Sequence, residues 1–123
     1  MTGETTTYAV TVTTGSPSGG GTDANVFLTL KGTDAASPEF HLDGPGNNFE
    51  RGSFNVFSID AADVGELGSI VIRHDCTGLA PAWYVEQVTV RNERTGALST
   101  FPCNFWLDTG SGDGRISREV TPA

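Results

Sequence analysis

The sequence predicts an all-β chain folded as an antiparallel β-sandwich, and three observations predict it. Apolar residues alternate with small or polar ones along most of the chain, as in half-buried strands. Clusters of Gly, Pro, Asn and Asp separate the alternating runs, marking turns. Thr, a β-former, is abundant. At 123 residues the chain has the size of one domain and can bury a core without metal or disulfide staples.

The elements follow in order. Tyr8-Ala9-Val10-Thr11-Val12-Thr13 alternates cleanly, and Val26, Leu28 and Leu30 share one face of the next strand with Phe27 on the other. Phe40 and Leu42 mark a short strand. Phe54 to Ile59, Leu67 to His74, Trp83 to Arg91, Leu98 to Leu107 and Arg115 to Val120 complete about eight strands. Turns fall at Gly15 to Gly21, Gly44 to Asn48, Asn92 to Gly96 and Asp108 to Gly114. Only Asp60-Ala61-Ala62-Asp63-Val64 suggests helix, of one turn at most. Eight strands at this spacing predict a sandwich or jelly roll.

Lys31 and six Arg stand against 15 Asp and Glu, for a formal charge of −8. That balance argues against nucleic acid and against a polybasic membrane contact, and leaves a cation, calcium first, as a partner. No apolar stretch approaches the ~18 residues of a membrane span, and Met1 to Thr7 is polar, without a signal-peptide core. The sequence therefore reads as soluble, with its compartment open. Cys76 and Cys103 form neither a zinc cluster nor a disulfide framework, and either pairing or free thiols fit.

The acidic loops offer two readings, a calcium site or plain turns, and pattern alone favours the turns. Thr22-Asp23 follows a glycine run, and Asp43-Gly44-Pro45-Gly46-Asn47-Asn48-Phe49-Glu50 is dense in oxygen donors. Calcium takes six to eight hard oxygens, and glycine lets a loop aim several carbonyls inward. The same residues also simply make turns. Asp108-Thr109-Gly110-Ser111 resembles an aspartic-protease loop, but so few residues follow it that the turn reading prevails. No nucleophile elbow, phosphate loop or zinc spacing occurs, and His41 and His74 lack a catalytic setting, so no enzyme activity is expected.

Several segments in order resemble the PLAT domain, also called lipoxygenase-homology or LH2. They are Tyr8-x-Val10-x-Val12-x-Thr14-Gly15, Gly21-Thr22-Asp23-Ala24, Phe49-Glu50-Arg51-Gly52-Ser53, Asp63-Val64-Gly65-Glu66-Leu67-Gly68, Ile72-Arg73-His74-Asp75, Ala82-Trp83-Tyr84-Val85 and Phe101-Pro102-Cys103 with Trp106-Leu107. The resemblance sets a PLAT/LH2 domain over 8–121, preceded by an N-terminal extension over 1–7. It implies a C2-like sandwich of two four-stranded antiparallel sheets. It further implies a non-catalytic, monomeric module that docks on a membrane lipid surface or a lipid-associated protein, often through calcium. The alternative is a calcium-independent protein-interaction domain that uses a sheet face.

Carried over residue by residue, the resemblance places calcium on Gly21, Thr22, Asp23, Asp43, Gly46, Asn47, Asn48 and Glu50. Asn48 stands where calcium-binding members usually have an acid, and a second family site lacks acids near Gly19 and Pro81. Weak affinity follows, on the order of 10⁻⁴ M. Leu79 is the apolar loop tip available for membrane or partner contact, with Trp106 as a second contact residue. Trp83 and Phe49 are expected in the core.

Overall fold

A computed structural model describes residues 5–15, 21–22, 24–42, 49–75, 82–108 and 116–123. Its regular structure is eight strands: β1 (Thr5–Thr14), β2 (Val26–Gly32), β3 (Phe40–Leu42), β4 (Phe54–Ala62), β5 (Leu67–His74), β6 (Trp83–Asn92), β7 (Leu98–Leu107) and β8 (Ser117–Val120). They form two four-stranded antiparallel sheets, ordered β4-β1-β6-β7 and β3-β2-β5-β8. The two-sheet sandwich is the architecture expected.

Period-2 alternation decides what faces inward. On β1, Tyr8, Val10 and Val12 are buried; on β2, Val26, Leu28 and Leu30; on β5, Ile70 and Ile72. Trp83, Val85, Val88 and Val90 of β6 meet them with Phe101 and Leu107 of β7. Val85 and Val88 are three residues apart yet both buried, because a bulge between Val85 and Gln87 resets the alternation. The indole N–H of Trp83 donates to the Thr14 hydroxyl at 3.0 Å, so the largest core side chain buries no unpaired donor.

Two local expectations are corrected. Asp60 to Ala62 are the last residues of β4, not a helical turn. The ladder pairs Thr5 with Ala62, Thr6 with Ala61 and Thr7 with Asp60, and these cross-strand bonds override the helical propensity of two alanines. For the same reason β1 begins at Thr5, ahead of the alternation first seen at Tyr8.

The registers put one set of strand ends together. Thr13 faces Phe54, Thr14 faces Val85, Val26 faces both Leu42 and His74, and Trp83 faces Leu107. A hydrogen bond from His74 Nε2 to the Leu107 carbonyl ties the two sheets at this end. The β1–β2, β3–β4, β5–β6 and β7–β8 connections all leave from strand ends gathered here, so the fold concentrates its sheet-crossing loops at one end.

Candidate functional site

Two connections are knitted together at that end. The Thr22 main-chain N–H donates to the Phe49 carbonyl at 3.1 Å, and the Thr22 hydroxyl accepts from the Ala24 N–H at 3.1 Å. Gly21 permits this approach: a Cβ there would lie 2.9 Å from both the Arg51 nitrogen and the Phe49 oxygen. Phe49 N–H donates to Asn55 Oδ1 at 2.9 Å, and Gly52 N–H reaches the Gly15 carbonyl at 2.9 Å. The Glu50 carbonyl accepts from both the N–H (3.1 Å) and the hydroxyl (2.7 Å) of Ser53.

Of the eight predicted calcium residues, Gly21, Thr22 and Glu50 are described. Thr22 is buried, Gly21 half-buried and Glu50 exposed. The structure brings Gly21 and Thr22 against the segment containing Glu50. Asp23, Asp43, Gly46, Asn47 and Asn48 lie outside the described residues, as does Leu79. Trp106 is half-buried on β7, meeting Tyr84 edge-on with ring centroids 5.4 Å apart. Phe49 and Trp83 are in the core, as expected.

Across the same end, Asn25 and Asp75 lock β2 to β5. The Asn25 main-chain N–H donates to Asp75 Oδ1 at 3.1 Å, and its side-chain amide donates to Oδ2 at 2.9 Å. Among the described residues no group of three or more His, Cys, Asp or Glu is placed to hold a metal ion. Besides main-chain carbonyls, the described residues bring the Glu50, Asp75 and Asp108 carboxylates to this end, and Asp75 is engaged by Asn25.

A cleft of about 1350 Å³ opens at the opposite end, lined in part by Tyr8, Asp34, Asp63, Glu66, Arg94 and Leu98. Its central carboxylate is fully engaged. Asp63 accepts from the Gly65 N–H at 2.9 Å, from the Asn92 amide at 3.1 Å and from the Arg94 guanidinium. These donors hold its pKa at about 2, the Gly65 N–H first and the Arg94 bond next. The Tyr8 hydroxyl also accepts from the Val64 N–H at 3.0 Å. This is a structural brace, and no predicted site residue lines it.

The histidines and the described cysteine show no nucleophilic arrangement. His41 is exposed and stacks on Phe27 at 5.1 Å, with the Arg73 guanidinium 4.2 Å from the same ring. Arg73 also pairs with Glu39. Cys103 is a free thiol whose pKa burial pushes up to about 12, which suppresses the reactive thiolate. Cys76 lies outside the described residues.

Sequence reasoning missed Phe54 and Val56. They are 66% and 58% exposed, while Phe57 and Ile59 on the same strand are buried. The signal was available: apolar residues at both even and odd positions of one strand cannot all face the core.

The family model for the PLAT/LH2 domain matches residues 8–118. The chain belongs to the PLAT/LH2 family. Mouse lipoxygenase homology domain-containing protein 1 is 41% identical over 120 residues, covering 95% of this chain and 6% of that protein. Human polycystin-1 is 37% identical over 119 residues, covering 94% of this chain and 3% of that protein. The crystal structure of coral 8R-lipoxygenase, described as calcium-activated via a C2-like domain, matches with a TM-score of 0.85 at 27% identity. That match covers 95% of this chain and 17% of the lipoxygenase. The PLAT/LH2 chain thus spans a small fraction of each relative's length. Among the described residues, no helix is long and apolar enough to cross a membrane.

Proposed function

We propose that this PLAT/LH2 domain is a non-catalytic binding module that takes up calcium at its loop-rich end and docks there on a lipid surface. One observation carries the reading: the hydrogen bond from Thr22 to the Phe49 carbonyl. It joins the segment that contains Asp23 to the segment that follows residues 43–48. Two oxygen-rich stretches far apart in sequence are thereby flanked by residues in direct contact.

The donor set fits calcium chemically. Asp23, Asp43 and Glu50 offer carboxylates, Asn47 and Asn48 amide or main-chain oxygens, and Gly21, Thr22 and Gly46 carbonyls. All are hard oxygens, which calcium prefers. With few formal charges in the set, affinity is expected on the order of 10⁻⁴ M. Bound calcium supplies positive charge for lipid phosphates, at a loop cluster on a chain of net charge −8. The raised Cys103 thiol and the His74–Leu107 bond support the non-catalytic part of the reading.

The test is co-sedimentation with phosphatidylserine–phosphatidylcholine vesicles in 1 mM calcium (about ten times the expected Kd) or in EDTA. The proposal requires pelleting with calcium, its loss in EDTA, and its loss in the Asp23→Ala/Asp43→Ala double variant. Equal pelleting in EDTA and in the double variant would remove calcium from the account. Calcium binding without pelleting would move the partner from lipid to protein.

A further inference from the structure

We infer that Phe27, with His41, Arg73 and Glu39, positions the calcium site proposed above by fastening β3 to β2 and β5 beside it. The inference rests on that calcium reading and adds residues that hold the site in place without touching the ion.

The four side chains form one assembly on the outward side of the second sheet. In register, His41 of β3 pairs with Phe27 of β2, and Phe27 pairs with Arg73 of β5. Their neighbours Val26, Leu28, Leu42, Ile72 and His74 are buried, so this row faces out. Because β2 lies between β3 and β5, the Phe27 ring receives a partner from each side. The His41 ring stacks on it with centroids 5.1 Å apart, and the Arg73 guanidinium carbon lies 4.2 Å from its centroid. Glu39, two residues ahead of His41, closes the assembly. Its carboxylate accepts from Arg73 Nε and from Arg73 Nη2, the latter at 2.6 Å. The chain entering β3 thus grips β5 across β2.

Position ties the assembly to the candidate calcium end. Val26–Leu42 is the last pair of the β2–β3 ladder, one row beyond Phe27–His41. Past it, Asp43 follows Leu42 directly, and Asp23 stands three residues before Val26. The two oxygen-rich stretches therefore leave from the same strand pair. That pair is short, since β3 has three residues and sits at a sheet edge.

Upstream, the chain is anchored independently. The Ser37 N–H donates to the Leu30 carbonyl at 2.8 Å, and the Ser37 hydroxyl accepts from the Leu30 N–H at 2.9 Å. Downstream, toward Asp43, the described residues hold β3 by its three ladder pairs, the burial of Leu42 and the Phe27 assembly. A short edge strand opens at low cost, and binding that needs its docked form weakens with the docked fraction.

The experiment is calorimetric titration of the whole chain with calcium, with melting curves as the fold control. Phe27→Leu keeps the apolar bulk but offers no flat ring to His41 or Arg73. Glu39→Gln/Arg73→Gln removes the ion pair and the guanidinium–ring contact at unchanged net charge. Each variant alone suffices for the test, and each is expected to fold and to raise the calcium Kd about threefold to tenfold. Phe27→Tyr keeps the ring and is expected to stay within about twofold of the parent. Asp63→Asn, at the opposite end, is expected to melt lower with an unchanged Kd. Parent-like Kd in the Leu and Gln variants, with binding lost in Asp23→Ala/Asp43→Ala, overturns the positioning role and leaves the calcium reading intact. Equal weakening in Asp63→Asn overturns it as well, because the loss then follows general stability. A parent that takes up no calcium removes the calcium reading and the inference with it.

Discussion

The Phe49 ring meets Trp83 edge-on, with centroids 5.3 Å apart, from a backbone held at φ 62°. That conformation costs a non-glycine residue about 1–2 kcal/mol. Burial to 4% exposure, between Trp83 and the stacked ring of Phe57, outweighs it. Phe49 therefore anchors the turn to which Thr22 is bonded.

Removing that anchor has an ordered consequence. Phe49→Ala is expected to cost about 3–5 kcal/mol. Phe49→Gly should cost about 1 kcal/mol less, since glycine accepts positive φ freely. Melting temperatures should rank parent, then Gly, then Ala, with drops near 10 °C or more. Ala at or above Gly would show that φ strain plays no part.

Acid stability should depend on Asp63. Its folded pKa, about 2, lies below the ordinary 3.8, so its contribution is complete above the unfolded pKa. The contribution drains away as pH falls from about 4 through 2. Glu39, held low chiefly by its bond to Arg73, and Glu119, held low first by the Ser69 hydroxyl and then by Lys31, act in the same direction. Melting temperature is expected to fall below pH 4, and Asp63→Asn should flatten part of that fall. An acid limb identical to the parent's would contradict the brace.

The thiol offers a kinetic check. In a Cys76→Ser background, Cys103 should react with iodoacetamide at pH 8 at least about a hundredfold more slowly in the folded protein than in denaturant. Comparable rates in both states would contradict its burial.

The sandwich was legible because alternation is a direct image of a half-buried strand. Tyr8-x-Val10-x-Val12 and Val26-x-Leu28-x-Leu30 point inward as read. Thr5 to Thr7 carry no apolar signal, and Asp60 to Ala62 carry a helical one; their strand state comes from pairing with each other, information that is non-local. The exposure of Phe54 was readable from phase conflict with Phe57, but only once one face is known to be inward. At the loop end, the role of Gly21 follows from its closeness to Arg51, which sequence spacing does not reveal. Glu50 and Thr22 stand in segments that the family motifs single out, and the side-by-side placement of those segments came from the fold.

The most direct test of the calcium account is thermal melting of the whole chain in EDTA and in calcium at ten times Kd. Linkage gives about 1.4 kcal/mol there, a rise of roughly 3–6 °C for this size. The account predicts that rise for the parent and its absence in Asp23→Ala/Asp43→Ala. A parent curve unmoved by calcium, or a double variant that shifts as the parent does, would contradict it.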